Sequence, residues 1–207
     1  MDKAEKRNAP ALERLSLLLR DAGVVPGVRL TDLDGQPVGD CSTYVFNAGT
    51  TKLVGLVPDY WKPTSQKLHL TFEQAVTVYD VRRKQHLGSG NRFEVTVEPA
   101  APRLFAVLSA PVAELLLKTP GKTRLGEEIQ VAFEVLGVRG LRSVAKVVVT
   151  DPQGKSVSFY GCNCDILDGK GRASFRSALN DPAGRWRVAV TEVISGKRAI
   201  AEIKIGD

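Results

Sequence analysis

Few side chains in this chain have the types and spacing that chemistry requires. A thiol–imidazole pair would need Cys41 beside His69 or His86, yet no activating motif surrounds any of the three. Cys162-Asn163-Cys164 is spaced too tightly for a zinc knuckle, and neither histidine stands at ligand spacing from it, so no metal centre is expected. Glycoside hydrolysis would need two opposed carboxylates, and there are 23 acidic residues to draw from. Those at Asp32, Asp34 and Asp181 sit in turn sequences, where a carboxylate caps backbone N–H groups. Gly88-Ser89-Gly90-Asn91 falls between strand-like runs without the helix start that phosphate binding uses, so it reads as a turn. The expectation is a non-enzymatic chain with no catalytic residue and no cofactor.

The aromatic pair Tyr60–Trp61 remains as a candidate ligand site. It lies in Pro58-Asp59-Tyr60-Trp61-Lys62-Pro63, where flanking prolines exclude a regular strand, and exposed aromatics on a loop can stack on sugar rings. The same pair can instead cover the edge of a small core. Trp186 has a different setting, since it alternates with Val188 and Val190 and is expected to fill a core.

The elements that would hold these residues are mostly strands. Val76 and Val78, then Phe93, Val95 and Val97, then Leu104, Ala106 and Leu108 alternate with the period of strands that bury one face. Strands are also expected at 28–31, 43–47, 52–57, 67–72 and 75–79, with a hairpin about Ala48-Gly49. After Thr123 a second series runs at 128–136, 144–150, 156–160, 171–176, 185–193 and 199–205. It is punctuated by Asp151-Pro152-Gln153-Gly154 and Asp181-Pro182-Ala183-Gly184. Only residues 8–23 suggest a helix, with Asn8 as cap, Pro10 in the first turn, Leu12, Leu15, Leu19 and Ala22 on one face and Gly23 as stop.

These patterns predict an all-β chain of two consecutive antiparallel β-sandwiches, the second immunoglobulin-like, with one short N-terminal helix. The helix, 1–24, is expected to pack on the first sandwich, 25–110. A linker, 111–123, contains Pro111 and Pro120-Gly121, and the second sandwich takes 124–207.

Composition narrows the partners. A length of 207 residues suits two domains, and a net charge of +6 with a pI near 9.3 invites a nucleic-acid reading. The cations are scattered, with the densest groups at Arg82-Arg83-Lys84 and Lys197-Arg198, and no aromatic platform is interleaved, so no nucleic-acid partner is expected. No apolar run reaches the roughly 20 residues that cross a bilayer, so no membrane insertion is expected; the opening MDKAEKRNAPALERL lacks the apolar centre of a secretory signal. Cys41, Cys162 and Cys164 make an odd number and imply no complete disulfide framework.

The runs LERLSLLLRDAGVVPGVRLTDLDGQPV, STYVFNAGTTKLVGLV and VTVYDVRRKQHLGSGNRFEVTVEPAAPRLFAVL, covering about Leu12 to Leu108, resemble the C-terminal β-sandwich region of β-galactosidase-like glycoside hydrolases. The segments GEEIQVAFEV, VVVTDPQGKSV and GRASFRSALNDPAGRWRVAVTEVISGKRAIAEIKI resemble bacterial immunoglobulin-like or macroglobulin-type domains. The resemblance implies a non-catalytic accessory region of a larger, extracellular or periplasmic, carbohydrate-active protein. Its implied partner is the catalytic domain of the parent chain. Carbohydrate bound at Tyr60 and Trp61, or a protein partner held at edge strands of the second sandwich, are the alternatives.

Overall fold

The computed structural model describes residues 14, 15, 17–19, 21, 22, 27–61 and 64–206. The chain is nearly all β, as the alternation predicts. Six strands build the first sandwich: β1 (Val28–Thr31), β2 (Cys41–Ala48), β3 (Thr51–Pro58), β4 (Gln66–Asp80), β5 (Gln85–Val97) and β6 (Arg103–Leu108). Their order is β1-β4-β6-β3-β2, with β5 also paired to β4.

Two strands expected at 67–72 and 75–79 are one bent strand, β4. Its first half pairs with β1 and its last residues, Thr77–Asp80, pair with β6, while β5 follows it on the other side. The register shifts between Thr71 and Val76, where Glu73, Gln74 and Ala75 are exposed. A bulge there turns the strand, so both of its halves face one core. That core contains Leu68, Leu70, Phe72, Val78, Phe93, Val95, Val97, Phe105 and Val107, with Phe72 and Phe93 edge to face at 5.9 Å. Gly88-Ser89-Gly90-Asn91, expected between strands, lies within β5 and pairs with β4.

The second sandwich has β7 (Glu114–Lys118), β8 (Lys122–Arg124), β9 (Glu128–Leu136), β10 (Ser143–Thr150), β11 (Cys162–Ile166), β12 (Lys170–Arg176), β13 (Gly184–Glu192) and β14 (Arg198–Gly206). One sheet runs β12-β9-β7 and the other β11-β10-β13-β14-β8, with β8 parallel to β14 and the other pairs antiparallel. Pairing β9 with β12 in one sheet, and β10-β13-β14 in the other, is the immunoglobulin arrangement of strands. Ile129, Val131, Phe133 and Val135 from one sheet meet Val147, Val149, Trp186, Val188 and Val190 from the other in a single buried cluster. Trp186 is 1% exposed and its indole N–H donates to the Pro182 carbonyl at 3.0 Å, as a buried tryptophan requires.

Three expectations need correction. The linker at 111–123 is instead part of the second sandwich: Val112 and Leu115 are buried, β7 pairs with β9, and β8 starts at Lys122. Pro111 and Pro120-Gly121 bracket this short strand rather than interrupt a domain. The strand at 156–160 is a 3-10 turn, Ser158–Tyr160, preceded by one bridge at Ser156. The helix does not pack as expected. Residues 14, 15, 17–19 and 21 are helical, but Leu15, Leu17, Leu18 and Leu19 are all exposed; Asn8, Pro10, Leu12 and Gly23 lie outside the described residues.

The sandwiches share their interior. Tyr79, Ala106 and Leu108 of the first belong to the same buried cluster as Val112, Leu115, Leu141 and Ile194 of the second. The Tyr79 hydroxyl accepts the Val112 N–H at 2.9 Å inside it. At the rim, the Thr50 hydroxyl donates to the Gly140 carbonyl at 2.6 Å and the Arg142 N–H donates to Thr51 Oγ1 at 3.3 Å. Gly140 has φ +65°, and a Cβ there would stand 2.9 Å from Thr50, so the close approach needs glycine.

Candidate functional site

Tyr60 and Trp61 follow the last residue of β3, where the Asp59 N–H donates to the Asp40 carbonyl at 2.9 Å and closes the mouth of the β2–β3 hairpin. Their rings meet edge to face at 5.4 Å and are 75% and 87% exposed. They do not cover the core. The pair offers two apolar faces to solvent, which suits stacking on a flat ligand such as a pyranose ring.

The candidates for chemistry are dispersed. Cys41 opens edge strand β2, and burial, followed by the charges of Asp40 and Asp59, pushes its thiol up to about 11. At neutral pH it is a protonated thiol, the reverse of an activated nucleophile. His69, on β4, receives a bond from Arg92 Nη2 at 2.7 Å, and His86 stacks on Tyr79 with ring centroids 4.7 Å apart. Neither imidazole is engaged with Cys41. On β11, Cys162 is exposed while Cys164 is half-buried, its thiol also raised to about 11, chiefly by burial. Among the described residues no group of three or more His, Cys, Asp or Glu could hold a metal ion.

The turn carboxylates act on the backbone. Asp32 Oδ1 accepts the Gln36 N–H at 2.7 Å, Asp151 Oδ1 accepts those of Gln153 and Lys155, and Asp181 Oδ2 accepts the Ala178 N–H and the Tyr160 hydroxyl. A groove of about 550 Å³ crosses the second sandwich beside Leu116, Glu134, Lys170 and Arg172. It is shallow, with cations on two strands and one carboxylate among them.

Two buried acidic side chains with dense hydrogen bonding were not legible in the sequence. Asp80, fully buried, accepts two bonds from Arg103, Nε–H at 3.1 Å and a second from Nη2, plus the Arg83 N–H at 2.9 Å. Arg103 Nη1 also donates to the Thr96 carbonyl, and its guanidinium lies over the Phe105 ring at 5.4 Å. The pair therefore ties β4, β5 and β6 together. Glu192, also fully buried, accepts from the Ser143 hydroxyl, the Ile194 N–H at 2.9 Å, and the Ser195 N–H and hydroxyl at 2.7 and 2.6 Å. It shapes the turn after β13 that carries Ile194 into the shared interior. A positional signal for Asp80 was present, since alternation puts it on the inward face with Val78; Arg103 falls on the parity opposite the expected Leu104, Ala106 and Leu108 set, and it is buried because β6 buries both faces, Phe105 and Val107 on one and Ala106 and Leu108 on the other.

No helix among the described residues is long and apolar enough to cross a membrane. No protein-family model matches the chain, and no curated protein matches it as a relative.

Proposed function

We propose that the chain is a non-catalytic accessory region of a larger, exported, carbohydrate-active protein, in which two sandwiches act as one rigid spacer or buttress for a neighbouring catalytic domain. The observation that carries this reading is the shared interior. Tyr79, Ala106 and Leu108 of one sandwich and Val112, Leu115 and Ile194 of the other form one buried cluster with no linker between them. Independent domains joined by a linker reorient freely, whereas an apolar interface with buried hydrogen bonds resists bending. The carbohydrate context rests on the resemblance of Leu12 to Leu108 to the tail of β-galactosidase-like hydrolases.

Amide relaxation by NMR tests rigidity: both sandwiches are expected to report one tumbling tensor. Separate correlation times for β1–β6 and β7–β14 would refute the spacer. Turnover of aryl glycosides by this chain, abolished by a single carboxylate substitution, would overturn the non-catalytic reading.

A second reading has its own support in the exposure of Tyr60 and Trp61: a carbohydrate-binding surface. Titrating oligosaccharides against tryptophan fluorescence separates the two. A saturable change that disappears in Trp61→Ala favours sugar binding, and a flat response favours the spacer alone.

A further inference from the structure

The edge of the first sandwich presents a strand that natural sheets normally protect. Open edges expose unpaired N–H and C=O groups, and charged residues, prolines or short length usually keep other strands away. Of the described edge strands β1, β2, β5, β7, β8, β11 and β12, only β2 contains no Asp, Glu, Lys or Arg. Its sequence is Cys-Ser-Thr-Tyr-Val-Phe-Asn-Ala, without proline, and it forms an unbroken ladder with β3 from Cys41 to Ala48. Residues Ser42 to Asn47 are all exposed, so the strand shows both faces as well as its edge. Tyr44, Val45 and Phe46 are 51%, 46% and 57% exposed, and Val57 of β3, on the face of Tyr44 and Phe46, adds to the apolar surface.

Among the described residues, the charges around β2 are arranged by end. Asp40 and Asp59 stand where β2 begins. Lys52, Arg139 and Arg142 stand where it finishes, with the Arg142 stem 3.0 Å from the position a Cβ of Gly49 would take. A second β2 laid antiparallel brings the acidic end of each copy to the basic end of the other. A parallel arrangement would oppose like charges at both ends.

We propose that β2 is a self-association edge, pairing antiparallel with β2 of a second copy of this chain about a two-fold axis at Val45. With that centre, the seven residues from Ser42 to Ala48 pair, giving a ladder about 23 Å long. Centred on Val45, the register sets Tyr44 of each copy opposite Phe46 of the other, so two aromatic cross-strand pairs form on one face. The contact is isologous and therefore closes at two copies rather than propagating. The two six-stranded sheets become continuous.

Light scattering coupled to size exclusion, across a concentration series of the full chain, gives the first reading: a dimer mass at high concentration, weakening as salt rises. Val45→Lys sets two ammonium groups on the axis and is expected to give monomer mass at every concentration, whereas Ile200→Lys, on an equally exposed apolar residue of β14, leaves the dimer. Cross-linking provides a measure that survives a folding defect in the lysine variant. In a Cys162→Ser background, Val45→Cys should oxidise to a disulfide-linked dimer, because residues facing across an antiparallel pair lie within disulfide reach. Ile200→Cys should remain largely unlinked.

Monomer mass at all concentrations, a dimer that persists in Val45→Lys, or equal cross-linking at the two positions would each overturn the proposal. A monomer that tumbles as one rigid body would do so while leaving the spacer reading intact.

Discussion

Replacing Arg103 by leucine tests whether the two sandwiches behave as one thermodynamic unit. The substitution leaves Asp80 fully buried with, among the described residues, only the Arg83 N–H as partner, after the loss of two charge-assisted bonds and of the guanidinium that makes them. Orphaning one member of a buried ion pair costs about 3–5 kcal/mol. For a chain of this length each kcal/mol lowers Tm by about 2–4 °C, so a fall of roughly 6–20 °C is expected. The chain has two tryptophans, and a Trp61→Phe background leaves Trp186, in the core of the second sandwich, as the sole reporter. Arg103 belongs to the first sandwich, yet the thermal transition seen by Trp186 fluorescence should move down with that seen by circular dichroism. If the Trp186 transition stays in place while a separate, earlier transition appears, the shared interior does not couple the two bodies. The double variant Asp80→Leu/Arg103→Leu should recover much of the loss, since an apolar pair leaves no buried charge.

Other outcomes follow from single contacts. Tyr79→Phe strands the buried Val112 N–H and should cost about 1–3 kcal/mol in urea denaturation; a neutral result would mean that bond contributes nothing. Gly171→Ala would drive a Cβ to within 2.3 Å of the Phe133 ring across the β9–β12 pair, and should destabilise by about 1–3 kcal/mol on the same assay. Stability should decline as pH rises between about 9 and 11. In that window the unfolded chain releases the Cys41 and Cys164 protons from thiols of ordinary pKa near 9, while the folded chain retains them up to about 11, so the unfolded state binds fewer protons; Tm measured against pH, with Cys41→Ala and Cys164→Ala as controls, reads the effect. A thiol reagent at pH 8 should label exposed Cys162 in the native protein and reach the other two only on unfolding, as mass spectrometry would record.

Period-two alternation was enough to place most of the strands, because each sandwich buries one face of nearly every strand. It located β9 residue for residue and Trp186 in its core. It failed where local signals compete with tertiary pairing. Pro111 and Pro120-Gly121 look like a break, but the backbone between them finds β9, and the ladder outweighs the punctuation. Glu73-Gln74-Ala75 interrupts the alternation and so reads as a turn, whereas a bulge absorbs the extra residues without ending the strand. The helix was legible in its leucines, but Leu15 and Leu19 do not meet the expected docking, because periodicity states which face is apolar without requiring that anything cover it. For Tyr60 and Trp61 the flanking prolines pointed to a loop, but they left open whether the rings face solvent or a core, which only the surrounding packing decides. Asp80, Arg103 and Glu192 were not legible because charge ordinarily marks solvent; alternation places Asp80 inside with Val78, whereas Arg103 lies on the face of β6 opposite Leu104, Ala106 and Leu108, and only the burial of both faces brings it in.

The parallel pairing of β8 with β14 joins strands near opposite ends of the second sandwich. During synthesis β8 must therefore wait, edge unpaired, until almost all of that sandwich has left the ribosome, while the first sandwich already has every strand it needs. Such distant closure is slow relative to local hairpins. The finished N-terminal half, through Tyr79, Ala106 and Leu108, can then serve as the template on which the later half condenses.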